Sequence, residues 1–190
     1  MPRLEPRYVT LVRHPSSPDG TVRRIDVEIA STSGGGLRLR YFLDGDVNGI
    51  LVPPPATPGP ADELWRHTCF EAFIAGQDSQ AYCEFNFSPS SQWAVYGFSG
   101  YREGMAPLDY ATDPLIVASV TDDRIALEAY VPLEALLALP GEATLRLGLA
   151  AVVESTDGKL SYWALAHAAE VPDFHHPDSF VLSVARESTW

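Results

Sequence analysis

The sequence predicts an all-β fold: one antiparallel, jelly-roll-like β-sandwich domain over residues 1–190, with about ten strands and one short helix. Three observations predict it. Apolar and polar residues alternate with period two in segment after segment, turn residues separate those segments, and only one stretch carries helical spacing.

The alternation is explicit. In RIDVEIA, Ile25, Val27 and Ile29 alternate with Asp26 and Glu28; in LRLRYFL, Leu37, Leu39 and Tyr41 alternate with Arg38 and Arg40. RIALEAYV sets Ile125, Leu127, Ala129 and Val131 on one face, and TLRLGLA does the same for Leu145, Leu147 and Leu149. SFVLSVA groups Phe180, Leu182 and Val184. LIVASV, residues 115–120, is almost continuously apolar and reads as a more fully buried strand.

The turn chemistry agrees. SGGG at 33–36, TDD at 121–123 and STDG at 155–158 fall between strand pairs, where hairpin loops belong. PLEALLAL at 132–139 is the one helix, opened by Pro132 and closed by Pro140-Gly141. VPPPATPGP at 52–60 cannot form a central strand, because proline has no backbone donor, and reads as a long loop.

Composition narrows the partners. The net charge is −12, from 13 basic against 25 acidic residues, and the basic residues are scattered, so neither a nucleic acid nor an anionic membrane surface is expected. Twelve of the 13 basic residues are arginine, Lys159 being the exception, which genomic bias would explain as well as function. The N-terminal MPRLEPRYVTLVRHP lacks the apolar core of an export signal, and no run approaches the roughly 20 apolar residues of a membrane helix. A cytoplasmic protein, monomeric or homodimeric, is the expectation.

The segment from His67 to Pro89 says most about function. Read as a hairpin around GQDS, it opposes Glu71 to Glu84, Cys69 to Asn86 and Phe73 to Tyr82. Phe70, Ala72, Ile74, Cys83, Phe85 and Phe87 then share one apolar face, which fixes the faces even if the register slips by two. Cys69 and Cys83 fall on opposite faces, so no disulfide joins them. Carboxylates opposed on a sheet repel by up to about 1 kcal/mol. Arg146, a shared proton, a bound cation or a ligand's hydroxyls would compensate. One reading makes this face an ordinary solvated surface. The other makes it a concave groove with Phe73 and Tyr82 as aromatic walls and His67, Glu71, Glu84 and Asn86 as polar hooks.

Other clusters add candidates. SSQWAVYGFSGYREGM at 90–105 concentrates Trp93, Tyr96, Phe98, Tyr101, Arg102 and Met105, read either as core aromatics of a strand or as platforms for a sugar or flat ring, with Tyr101-Arg102 beyond the strand end as the functional candidate. SYWALAH puts Trp163, Leu165 and His167 on one face; His167 reads either as a hydrogen-bonded structural histidine or as a ligand contact. PDFHHPDSF brings together Asp173, His175, His176 and Asp178, but at no zinc-site spacing, and Pro177 points to a turn. His67, Glu71 and Glu84 would together offer a weak cation site. No phosphate loop, dinucleotide fingerprint or nucleophile elbow is present. The Glu71/Glu84 pair alone evokes the carboxylates of a retaining glycosidase.

LWRHTCFEAFIA, YCEFNFSPSSQWAVYGFSGYREGM and YWALAHAAEVPDFHHPDSF resemble the DOMON-like domains of bacterial proteins, a group related to family-nine carbohydrate-binding modules. The resemblance runs from about residue 8 to 185 and is most specific over 64–105. It implies a β-sandwich that binds a sugar or, in cytochrome relatives, a b-type haem held by Met with His or Lys. It also implies Trp93 or Trp163 as a sugar platform, with Glu71, Glu84 and Asn86 holding hydroxyls. Met105 is the one internal methionine and would be the haem ligand.

The expectation is therefore a non-catalytic module for a carbohydrate or similar polyhydroxylated ligand, of modest affinity, with no obligatory cofactor. Its ligand contacts would come from His67, Glu71, Tyr82, Glu84, Asn86, Trp93, Tyr101, Arg102, Trp163 and His167. A haem or redox module, and a hydrolase using Glu71 and Glu84, are the alternatives; a divalent cation is a third.

Overall fold

The computed structural model describes residues 6–108, 112–132, 135 and 144–185. The chain is all-β. Strands β1 (Arg7–Arg13), β2 (Val22–Ser31), β3 (Leu37–Gly45), β4 (Gly59–Pro60), β5 (Cys69–Gly76), β6 (Tyr82–Phe87) and β7 (Gln92–Phe98) come first. They are followed by β8 (Ala106–Pro107), β9 (Leu115–Val120), β10 (Arg124–Val131), β11 (Thr144–Glu154), β12 (Leu160–Ala164) and β13 (Leu182–Ala185). Single 3-10 turns lie at Val47–Gly49, Leu64–Arg66 and Pro177–Ser179. The expected helix at 132–139 falls, apart from Pro132 and Ala135, outside the described residues.

The thirteen strands form one curled mixed sheet in the order β4-β7-β6-β5-β11-β12-β1-β2-β3-β10-β9, with β13 beside β11 and β8 beside β7. Described pairings are antiparallel except β4 with β7. The curl turns on β1. Arg7 to Leu11 pair with β2, whereas Val12 and Arg13 pair with β12, so one strand serves both halves. Ile25, Val27, Leu39, Leu43, Ile125 and Leu127 of one half share a single buried core with Phe70, Ile74, Phe85, Phe87, Leu147 and Leu149 of the other. Each such side chain contributes roughly 1.5–3 kcal/mol by leaving water. Tyr41 fastens the halves together: its hydroxyl donates to the Glu71 carbonyl at 2.8 Å, and its ring meets Phe70.

Three sequence expectations change. β9 is not doubly buried but an edge strand, with Leu115, Val117 and Val120 exposed, because it ends the strand order and has a neighbour on one side only. Phe180 does not share a face with Leu182 and Val184. It closes the Pro177–Ser179 turn before β13 begins and points into a second cluster. The third change is register. β5 and β6 pair Phe73 with Glu84, Glu71 with Asn86 and Ala75 with Tyr82, two residues away from the expected Glu71–Glu84 opposition. The faces hold, as parity requires.

β5 and β6 are buried on both sides, so every residue in them is inaccessible. Their inner face meets the main core. Over the outer face lies a second aromatic cluster of Phe73, Tyr82, Tyr96, Phe98 and Phe180, flanked by Trp65 and Phe174. Phe174 and Phe180 belong to residues 165–181, a strap running from β12 back to β13 across that face.

Candidate functional site

Between strap and sheet lies a cleft of about 710 Å³. Its polar groups come from β5 and β6 (Glu71 and Glu84), from the Leu64–Arg66 turn (Arg66), from the turn after β7 (Arg102) and from the strap (His175). Aromatic and aliphatic side chains make up most of the rest: Trp65, Phe98, Met105, Val152, Leu160, Tyr162 and Phe174. Trp65 stands on the Leu64–Arg66 turn with its ring edge-on to Tyr96, centroids 5.7 Å apart. Tyr162 and Phe174 meet across the other side at 6.1 Å.

The outer face of the hairpin is not a solvated surface. Glu71 is 2% exposed, Glu84 5% and Asn86 0%. Asn86 Nδ2 donates to Glu84 Oε1 at 2.8 Å, which satisfies one carboxylate oxygen. Glu71 Oε1 is buried and has no hydrogen-bond partner among the described residues. An unpaired buried polar atom costs on the order of 1–3 kcal/mol, and considerably more if it is charged. Burial, and then the neighbouring Glu84, push the Glu71 carboxyl well above the usual carboxylate range. Burial also raises Glu84, opposed by the Asn86 hydrogen bond and by Arg102.

His175 is held by a chain of donors. The Arg102 backbone N–H donates to the Tyr82 hydroxyl at 3.2 Å, and that hydroxyl lies 2.8 Å from His175 Nδ1. With its oxygen already accepting, Tyr82 donates onward to Nδ1. The imidazole then carries its proton on Nε2, facing Glu84 Oε2 at 3.8 Å. Burial, and then Arg102, lower the His175 pKa to about 4, so the ring is neutral at pH 7. Arg102 itself adopts a left-handed φ of 56° and reaches Asp173 at 2.8 Å. The Tyr101 hydroxyl donates to the other oxygen of the same carboxylate. These bonds close the turn after β7 onto the strap.

Of the ten residues expected from the sequence, Glu71, Glu84 and Arg102 line the cleft. Tyr82 and Asn86 lie one layer behind it, holding His175 and Glu84. Tyr101 is exposed and grips Asp173 from outside. The remaining four sit elsewhere. Trp93 and Trp163 project into the inner core, so neither can be a platform on this face. The His67 side chain is 64% exposed and bonds Glu154 at 2.7 Å instead of joining the two acids. His167 donates through Nε2 to the Val12 carbonyl and stacks edge-on against His14. Arg146 does not compensate the acids either, because it bonds the Ser79 carbonyl and lies over Phe180.

Trp65, Tyr162 and Phe174 are the walls that sequence reasoning missed. All three lie within the motifs that carry the family resemblance, but two of them stand in irregular chain where periodicity gives no face. Asp173, His175, His176 and Asp178 do not converge: His175 turns into the cleft, while His176 caps its own turn by accepting from the Asp178 backbone N–H. Among the described residues no group of three or more His, Cys, Asp or Glu side chains could hold a metal ion.

The fold is similar to those of solved carbohydrate-binding proteins, among them family-nine modules. A candidate carbohydrate-binding protein from Bacteroides uniformis superposes with a TM-score of 0.72 at 15% identity, over 95% of this chain and 86% of that one. A family-nine module from Caldicellulosiruptor kristjanssonii in complex with glucose gives 0.51 at 9% identity, over 92% and 81%. The same organism's module in complex with cellotriose gives 0.52 at 11%, over 92% and 80%. No protein-family model matches the sequence, and no curated protein is significantly similar to it. At these identities the likeness establishes the fold.

Proposed function

We propose that the chain is a non-catalytic sugar-binding module whose ligand lies in the cleft between the strap and the β5–β6 face. The observation that carries this reading is Glu71 Oε1, a buried carboxyl oxygen without a partner among the described residues, on a side chain that lines an aromatic-walled cleft. A sugar supplies what the site lacks. Its hydroxyls donate to or accept from Glu71 and Glu84, and its C–H face leaves water against Trp65. The Arg102 guanidinium, already oriented by Asp173, has further N–H groups for ring or glycosidic oxygens. Neutral His175 offers Nε2–H without adding charge.

The fold's sugar-bound neighbours support this reading. It is tested by titration calorimetry of the purified chain against glucose, cellotriose and a panel of mono- and oligosaccharides. Saturable heat that Trp65→Ala abolishes is the expected result. Absence of binding to any sugar in the panel by the native chain would overturn it.

Haem is the second reading, because Met105 and His175 line the same cleft. The residues do not fit it. His175 Nδ1 is engaged by Tyr82, and Nε2 faces Glu84 from a ring packed edge-on against Phe73 and Phe98. Ligating iron would require breaking that packing. A Soret band after reconstitution would restore the haem reading.

A further inference from the structure

Resting on the sugar-binding reading of this cleft, we infer that its preferred ligand is an amino sugar, a hexosamine unit whose free ammonium group seats between Glu71 and Glu84. The inference follows from charge balance within the site. The two arginines that line the cleft are each already paired with an acid. Arg66 is bound to Glu63 at 2.9 Å and Arg102 to Asp173 at 2.8 Å. Histidine adds nothing, since His175 is neutral at pH 7. Among the described residues neither Glu71 nor Glu84 is ion-paired with an arginine or lysine, although the Arg102 charge is felt at Glu84.

The groups around the acids confirm the deficit. From the hairpin come Cys69, whose thiol burial and Glu71 hold protonated, and Asn86 and Tyr82, which are neutral. From β7 comes Tyr96, pushed up to about 12 by burial and by its bond to Asp62. In the free protein burial favours the protonated form of both acids. A bound ammonium would reverse this: with three N–H donors it can reach Glu71 Oε1 and the oxygen of Glu84 that Asn86 leaves free. Charge-assisted bonds of this kind are about twice as strong as those to a hydroxyl.

The walls favour the same group. A cation over the ring faces of Trp65, Tyr162 or Phe174 gains from their quadrupoles in a way a neutral hydroxyl does not. A metal ion is a poor alternative occupant. Calcium takes six to eight oxygen ligands, whereas two carboxylates here have no third acidic or imidazole ligand in position among the described residues. The cleft is also far larger than an ion requires, and at about 710 Å³ it suits a sugar ring.

Calorimetry on the full chain at about pH 6, where the sugar's amine is charged, tests this with glucosamine, glucose, N-acetylglucosamine and calcium chloride. Glucosamine should bind roughly tenfold or more tightly than glucose, a difference of about 1.4 kcal/mol. N-acetylglucosamine, its amine capped, should lose that advantage. Native protein should also release a proton to the buffer when glucosamine binds and none when glucose binds, seen as heats that depend on buffer ionisation only in the first case. This second readout needs no variant. In Glu71→Gln the two sugars should come to within about a factor of two. Equal affinity for glucose and glucosamine without proton release would overturn the amine preference and leave the sugar site standing. Calcium binding that outcompetes glucosamine would also overturn it, and failure of every sugar to bind would remove both readings.

Discussion

The hydroxyl of Tyr82 lies 2.8 Å from Nδ1 of His175, joining strand β6 to a strap 93 residues further along the chain. On the sheet side Tyr82 is stacked flat on Phe98, with ring centroids 4.7 Å apart. On the strap side His175 packs edge-on against Phe73 and Phe98. Position and polarity are thus set together. The bond fixes which nitrogen of His175 faces the cleft, and the packing fixes where.

Tyr82→Phe removes the bond and keeps the stacking. It leaves His175 Nδ1 without its donor and the Arg102 N–H without its acceptor, so the chain should lose on the order of 1–3 kcal/mol. Thermal unfolding reads the loss. Hydrogen exchange should rise most at 172–176, where the strap is held. An unchanged melting temperature would mean that the strap is held by its aromatic contacts alone.

His175 makes acid stability depend on protonation. Its ordinary pKa is 6.5 and in the folded chain it falls to about 4, so between these values the unfolded state binds more protons than the folded one. Stability is therefore full above about pH 6.5 and is lost as pH falls towards 4. The contribution is on the order of 3 kcal/mol. His167, lowered by burial and by the nearby His14, adds in the same direction. Glu71 and Glu84 act in the opposite sense over this range, so the decline is read as the difference between the native chain and His175→Gln in denaturant titrations at closely spaced pH values. A pH dependence that is identical in the native chain and in His175→Gln would contradict a buried neutral imidazole.

The tryptophans divide by face. Trp65→Ala should weaken sugar binding by roughly tenfold or more while costing little stability, because that ring is only partly buried at the cleft mouth. Trp163→Phe should do the reverse. It opens a void in the inner core and removes the bond from Nε1 to Ser161, for a loss of about 1–3 kcal/mol with affinity unchanged. Calorimetry and thermal unfolding on both variants separate the two roles. Equal losses of affinity would mean that the core tryptophan shapes the cleft.

How far the sequence could be read depended on which physical quantity each residue carried. Parity is written in the alternation, so the faces of Phe70, Ala72, Glu71 and Glu84 were legible without coordinates. Register is not, because it depends on the loop. Ser79 accepts from the Ala81 N–H and donates to the Ala81 carbonyl, making the connection longer than a turn centred on GQDS and displacing Glu84 to face Phe73. The polarity of LIVASV misled for a related reason: an apolar run reports composition, whereas exposure at Val117 depends on the strand order that leaves β9 at an edge. Trp65 carried no periodic signal at all. It stands on a single 3-10 turn, and only the tertiary course of the chain brings it to the cleft beside Tyr96.

Glu71 should be a residue the fold would be more stable without. Burial raises its folded pKa well above the ordinary value, so above about pH 4.5 the unfolded chain gives up a proton that the folded chain retains. That difference erodes stability by about 1.4 kcal/mol for each pH unit until the folded carboxyl ionises. Glu84, raised in the same direction, steepens the decline. Glu71→Gln has no proton to lose. It should melt at a higher temperature than the native chain at pH 8, and the gap should narrow towards pH 4.5 as the native carboxyl becomes protonated in both states. The same substitution should weaken sugar binding, because the orphaned Oε1 is the ligand's best partner. Melting curves from pH 4.5 to 8, paired with calorimetry at one pH, test both halves. A purely structural carboxylate predicts the opposite, with Gln less stable at pH 8 and binding unaffected. Stability gained together with affinity lost is the signature of a buried acid kept for its ligand.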